Sequence, residues 1–365
     1  MRLTLLSPDL LWPEPEDDLA YGALPQATVP ALETLLARGQ LERRPGRAPE
    51  ALLAPLFGLE PEAPPALAAL RLLGEERSDC DLAIEHQLWL CADPTHVRLH
   101  QDQMILADAG SFDLSHEEAR DFAAALSQHF AGEAHFHVAD ARRWYVRLTT
   151  DWAADLPLDV TQPLSAVAGR RLELPSPRQP AAARLRALLN EAQMVLHAHP
   201  ANTAREERGL PPVNSLWLWG PGKLPIPLKS PLVGLWSDDP LARGLARAAG
   251  VPDRPLPTDA AALLKESAAA PTGSQLLVHL PQLQGPARYQ EPEAWHQALL
   301  GLEQDWFAPL LAALGRGQIT ELTLAASGSY GLLTWQLRSL DRWKLWRRPL
   351  ALQALARQLS ATPNN

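Results

Sequence analysis

Leu3 to Leu6 is an unbroken apolar run near the start of the chain, short enough to be a buried strand. A polar, Pro-rich stretch follows it. Apolar positions then recur at Leu32, Leu35 and Leu36, the spacing of one helical face. Thr28 and Pro30 suit the opening of that helix, and Gly39 suits its end. A strand feeding a helix is the usual opening of an α/β sheet. From Gln40 to Gly74, Ala, Leu and Pro dominate with no sustained period, which predicts short helices and loops.

The texture changes near Leu88. Short β-like runs appear at Leu88–Cys91, Met104–Ala107, His135–Val138 and Trp144–Leu148. Between them, Ser115-His116-Glu117-Glu118 has the form of a capping box, and Ala119, Phe122, Leu126 and Phe130 continue at helical spacing. Strands with one packed helix predict a compact α+β unit closing near Val167. Arg184 to His199 then reads as a helix, and Leu216 to Trp219 as a strand ending in Gly220-Pro221-Gly222. Leu276–Leu280 and Ile319–Ala326 read as two further buried strands. Trp295, Leu299, Leu302, Trp306 and Leu310 form a helical apolar stripe between them. The expected architecture is α/β, a mostly parallel sheet flanked by helices, built from 1–80 and 170–365 and interrupted by an inserted α+β domain at 81–169.

Composition narrows the class. The 365 residues are 46% hydrophobic and 21% charged, as expected of a globular chain of about two domains. A formal net charge of −9 gives no global field toward nucleic acid or anionic lipid, so no nucleic-acid partner is expected. Cys80 and Cys91 fit neither a disulfide framework nor a four-ligand zinc site and read as reduced thiols. The opening residues lack a basic-then-apolar leader, and no apolar run approaches the roughly 20 residues that span a bilayer. A cytoplasmic protein with no membrane span is the expectation.

Several stretches resemble the cofactor-independent phosphoglycerate mutases, above all their archaeal-type branch. Val213-Asn214-Ser215-Leu216-Trp217-Leu218-Trp219-Gly220-Pro221-Gly222 is similar to that branch's Asn-containing strand and Trp-Gly-x-Gly loop. The segment from Ala27 to Gly39 looks like its opening helix, and Phe57-Gly58-Leu59-Glu60-Pro61 like its Leu-Gly-Tyr-Asp-Pro turn. Three further segments resemble a bacterial group, the RpfE-type regulatory proteins. They are Cys91-Ala92-Asp93-Pro94-Thr95-His96-Val97, Asn190-Glu191-Ala192-Gln193-Met194 and Glu303-Gln304-Asp305-Trp306-Phe307-Ala308-Pro309-Leu310. The resemblance implies an alkaline-phosphatase-like fold whose enzymes move a phosphoryl group from a Ser or Thr nucleophile beside two metal ions.

The residues that would serve that chemistry are replaced. Alignment on the Gly58 turn puts Pro49 at the nucleophile and Leu53 at a supporting histidine. Ala325-Ala326-Ser327-Gly328 stands where an Asp-His pair would follow a late strand. Asp9, between Pro8 and Leu10, departs from the Asp-Gly that would end the first strand. Pro has no hydroxyl, and Leu and Ala cannot bind a metal. The reading is therefore a non-catalytic regulatory or binding protein with no cofactor. Its partner is an unknown protein or a phosphorylated small molecule.

Two alternatives stay open. A rearranged metal-dependent phosphomutase or phosphatase would draw on Asp9, Asp93 and His96. A sensor of a phosphorylated small molecule would use Asn214, Gly220, Gly222, Lys223 and Arg205, because ligands of open α/β sheets gather at the loops after the strands. His135 and His137 share a strand face but have no evident third metal ligand, and His197 and His199 suit a helix C-terminus. Ser7, Ser215 and Ser327 lack a nucleophile-elbow setting. Arg342, Trp343, Lys344, Trp346, Arg347 and Arg348 interleave aromatic and basic residues. In so acidic a chain, their tryptophans are expected to pack on the core.

Overall fold

The computed structural model describes residues 1–13, 28–46, 48–59, 66–75, 84–100, 103–149, 153, 155–156, 162–169, 180–225, 227–271, 273–344 and 346–361. Cys80, Glu60 and Pro61 lie outside the described residues. Twelve strands among these, numbered in chain order, form two sheets in two compact units.

The first unit comprises Met1–Gly58 and Lys229–Asn365. Its sheet contains β1 (Arg2–Leu6), β2 (Gln40–Arg44), β8 (Leu232–Trp236), β9 (Asp253–Arg254), β10 (Gln275–His279), β11 (Glu321–Gly328) and β12 (Gly331–Arg338). The order is β2-β12-β11-β1-β10-β8-β9. The run from β11 to β9 is parallel, while β12 and β2 add an antiparallel edge. This is the mixed α/β, mostly parallel architecture that the hydrophobic pattern predicts. Leu3 and Leu5 of β1, Leu276 and Val278 of β10, and Leu322 and Leu324 of β11 share one core. The alternate positions Leu6, Leu235 and Leu277 are buried as well, as a parallel sheet covered on both faces requires.

The helix Pro30–Arg38 begins at Pro30 as expected, but no side chain of its own caps it. The Glu303 carboxylate does so instead, accepting from the Ala31 amide at 2.6 Å and the Leu32 amide at 3.0 Å. Glu303 reaches there from a π-turn, Glu303–Phe307, set between the helices Pro292–Leu302 and Ala308–Gly315. Gly39 ends the first helix with an extended backbone, and a Cβ there would come within 2.9 Å of Trp335 Cβ.

The second unit runs from Leu59 to Leu228, wider on both sides than the predicted insert at 81–169. Its sheet contains β3 (Leu88–His100), β4 (Gln103–Asp108), β5 (Ala134–Asp140), β6 (Arg143–Leu148) and β7 (Ser215–Gly222). The strand read at Leu216–Trp219 therefore belongs here and not to the parallel sheet, since β7 pairs antiparallel with β3 from Trp89 to Thr95. The predicted capping box is present. Ser115 Oγ accepts from the Glu118 amide at 3.1 Å, and the Glu118 carboxylate accepts from the Ser115 amide at 3.0 Å. Cys91 is buried, with no disulfide among the described residues.

Candidate functional site

In an open parallel sheet, ligands gather beyond the carboxyl ends of the strands. In the first unit that edge is built by the residues that end or follow β1, β8, β10 and β11. Ser7 follows β1, is fully buried, and donates its amide to Ala325 O at 2.8 Å. Asp9 takes a left-handed backbone with φ of 54°. Its amide donates to Ser327 O at 2.8 Å, and its carbonyl accepts from Trp295 Nε1 at 3.0 Å. Its carboxylate lies against Gly328, where a Cβ would approach Asp9 Oδ1 to 3.2 Å.

Beside them, His279 ends β10 and is buried. Its Nδ1 lies 3.4 Å from the Ser237 hydroxyl after β8, and that hydroxyl already accepts from the Asp239 amide at 3.0 Å. Burial pushes the His279 imidazole below its ordinary range, with Asp239 pulling the other way. His279 Nε2 and Ser7 Oγ are both buried without a hydrogen-bond partner among the described residues. Asp239 is committed as a helix cap, accepting from the Ala242 amide at 2.8 Å. Ser237, Asp239 and His279 escape a motif search because each is single. Their signal is only that each ends or closely follows a buried strand.

The positions assigned by resemblance to nucleophile and ligands carry no such chemistry. Pro49 and Leu53 bound the short helix Glu50–Leu53, with Leu53 in the core. Ala325 and Ala326 are buried within β11. Among the described residues, no group of three or more His, Cys, Asp or Glu side chains is placed to hold a metal.

Asp93 and His96 lie in the second unit, inside β3 and not in a loop beside it. Asp93 is buried, and its carboxylate faces the Arg71 guanidinium in a two-point pair at 2.8 and 2.5 Å. Trp219 Nε1 donates to it at 2.8 Å. Arg71 also stacks on Tyr145 and Trp219, and Tyr145 donates to Glu75 at 2.7 Å. Arg143 grips Glu75 from outside. Burial alone would lower the Arg71 guanidinium, but the Asp93 charge holds it well above its ordinary value. Such a saturated network fixes a core and leaves Asp93 little to offer a metal. His96 Nδ1 is taken by Pro212 O at 2.9 Å.

The predicted anion-binding residues serve the same unit. Gly220-Pro221-Gly222 is not a flexible loop. It lies inside β7, beside a register shift between Trp89 and Cys91 that lets the glycines take positive φ. A Cβ on Gly220 would come within 2.9 Å of Leu67 Cβ, so the glycine lets β7 approach the helix Leu67–Gly74. Asn214 pairs both ends of its amide with the Val97 backbone, at 2.8 and 2.9 Å. Arg205 is fully buried, donating to Pro211 O at 2.9 Å and Asp113 O at 2.6 Å, with Glu118 3.2 Å away. Burial would raise Glu118, but bonds from Ser115 and Arg208 and the Arg205 charge lower it to about 2. Lys223 alone stands exposed, one residue beyond β7. Of the histidine pair on β5, His135 is exposed and His137 half-buried. His197 lies in the last turn of its helix as expected, whereas His199 caps the next one through the Ala201 amide at 3.2 Å.

No protein-family model matches the chain. Among solved structures, the PH0037 protein from Pyrococcus horikoshii aligns with a TM-score of 0.52 at 16% identity, over 92% of this chain and 87% of that one. What the two share is the fold. A cofactor-independent phosphoglycerate mutase from Thermoplasma acidophilum aligns over 92% of this chain and 89% of its own, with a TM-score of 0.41 at 20% identity. In sequence, a probable 2,3-bisphosphoglycerate-independent phosphoglycerate mutase of Geobacter sulfurreducens is 49% identical over 49 residues. That match spans 13% of this chain and 12% of the relative.

Proposed function

We propose that this protein is an RpfE-type, phosphoglycerate-mutase-like member of the alkaline-phosphatase-like superfamily. In this reading it acts as a regulatory or binding protein and has given up two-metal phosphoryl transfer. The observation that carries this is the make-up of the carboxyl edge of the parallel sheet. Among the described residues, buried serines, one buried histidine, the helix-capping Asp239, Asp238 bonded to the Leu256 amide and Asp9 against Gly328 stand there, with alanines in the late strand. Metal-assisted transfer needs several carboxylates and imidazoles converging on the reacting phosphate. The local match to a probable phosphoglycerate mutase supports the kinship, and the shared fold supports a common scaffold.

An enzyme with ligands rearranged onto Asp93 and His96 finds less support, because the Asp93 oxygens are held by Arg71 and Trp219. The test is turnover of phosphoglycerates and of a phosphate monoester by the purified chain with manganese, magnesium or zinc. No turnover above background is expected. Sustained metal-dependent turnover that survives replacement of contaminating enzymes would refute the reading.

A further inference from the structure

Four of the large apolar side chains that are exposed among the described residues fall between positions 340 and 350. They are Leu340 at 76%, Trp343 at 61%, Trp346 at 76% and Leu350 at 36%. The expectation that these tryptophans pack on the core is overturned. Its described residues form a single 3₁₀ turn, Ser339–Trp343, and irregular chain at 346–350. Its ties are polar: the Asp341 carboxylate accepts from the Arg338 amide at 2.7 Å and pairs with Lys344, and Arg347 donates to Gly39 O at 3.0 Å. These bonds hold the segment while both tryptophans remain largely exposed. Arg347 and Arg348 are exposed around them, Arg338 is exposed with Glu321 3.8 Å away, and Asp341 is paired with Lys344.

We propose that this segment is a peripheral docking surface for anionic phospholipid. Indole rings and cationic side chains interleaved in one exposed stretch suit the headgroup region, where the ring has an apolar body and a polar N–H. Leu340 and Leu350 decide between lipid and nucleic acid, since an aliphatic side chain gains in hydrocarbon and has nothing to stack on a base. The patch is the local opposite of the chain's net charge of −9. Attraction to anionic headgroups is screened beyond a Debye length of about 10 Å, so it acts where this segment meets the surface.

The position of the patch has a functional consequence. β12 runs antiparallel to β11 with Arg338 opposite Glu321, and Ser339 donates to Thr320 O. The patch therefore lies at the amino edge of the parallel strands, a strand length of about 26 Å from the carboxyl edge described above. Docking turns that carboxyl edge away from the membrane. No described helix is long and apolar enough to cross a membrane, and contact through a single surface patch of this kind is reversible.

Co-sedimentation of the full chain with vesicles of phosphatidylcholine, with and without phosphatidylglycerol, tests the proposal. Salt-sensitive binding to the anionic vesicles alone is expected. Arg348→Ala should weaken it about fivefold, the share of one cation near the surface, and Trp346→Ser should weaken it further. Both positions are exposed, so an unchanged circular dichroism spectrum and melting temperature should accompany the loss. Equal sedimentation with both vesicle types, undiminished binding by the double variant, or binding to an oligonucleotide with none to vesicles would each overturn it.

Discussion

Asp93→Ala leaves the Arg71 guanidinium buried beside two aromatic rings without its counter-ion. Breaking a buried pair in this way is expected to cost about 3–5 kcal/mol of stability, measured by denaturant unfolding. Divalent-metal affinity should not change, which separates this role from that of a ligand. His279 carries a second residue-scale prediction. Its imidazole is held below its ordinary value of 6.5, so the unfolded chain binds the proton more readily than the folded one. Stability is therefore full above pH 6.5 and falls as pH drops from there toward the folded value, by up to about 1.4 kcal/mol per unit. His137, half-buried and lowered by burial and by His135, has the same sign. Unfolding free energies across this range should show the slope, and His279→Gln should flatten its share. At this scale the sequence was least informative, because Asp93, Arg205 and Asn214 look like ligand contacts until their partners are known. Those partners come from distant positions such as Arg71, Asp113 and Val97.

The π-turn at Glu303–Phe307 shows how an element carries a motif's meaning. The resemblance picks out Glu303 to Leu310, and the structure places that carboxylate on the amino end of the helix Pro30–Arg38. Glu303→Gln should lower stability by about 1–2 kcal/mol, as loss of a charged helix cap does. A thermal melt measures it, and an unchanged melt would show the cap to be dispensable. Gly220→Ala should also destabilise, by about 1–3 kcal/mol, because its positive φ and its approach to Leu67 both exclude a Cβ. Long apolar runs were legible as elements, since β1, β10, β11 and the stripe from Trp295 to Leu310 follow their periods. β2, read as loop, is Gln-Leu-Glu-Arg-Arg, a polar edge strand held by β12 and not by its own pattern. β7 was legible as a strand but not as a member of the second sheet, because an apolar run does not encode its neighbour.

At the scale of the molecule, a scaffold with a mostly parallel sheet was legible in the alternation of strands and helices, and the shared fold with PH0037 agrees with it. The boundaries of the second unit were not, because they depend on which sheet the segment from 180 to 228 joins. The account's central claim is electrostatic: the carboxyl edge of the sheet lacks the donors to hold two divalent cations. Calorimetric titration of the full chain with manganese at neutral pH tests it most directly. The account predicts no saturable binding beyond weak, salt-screened association, whereas two tight equivalents per chain would contradict it.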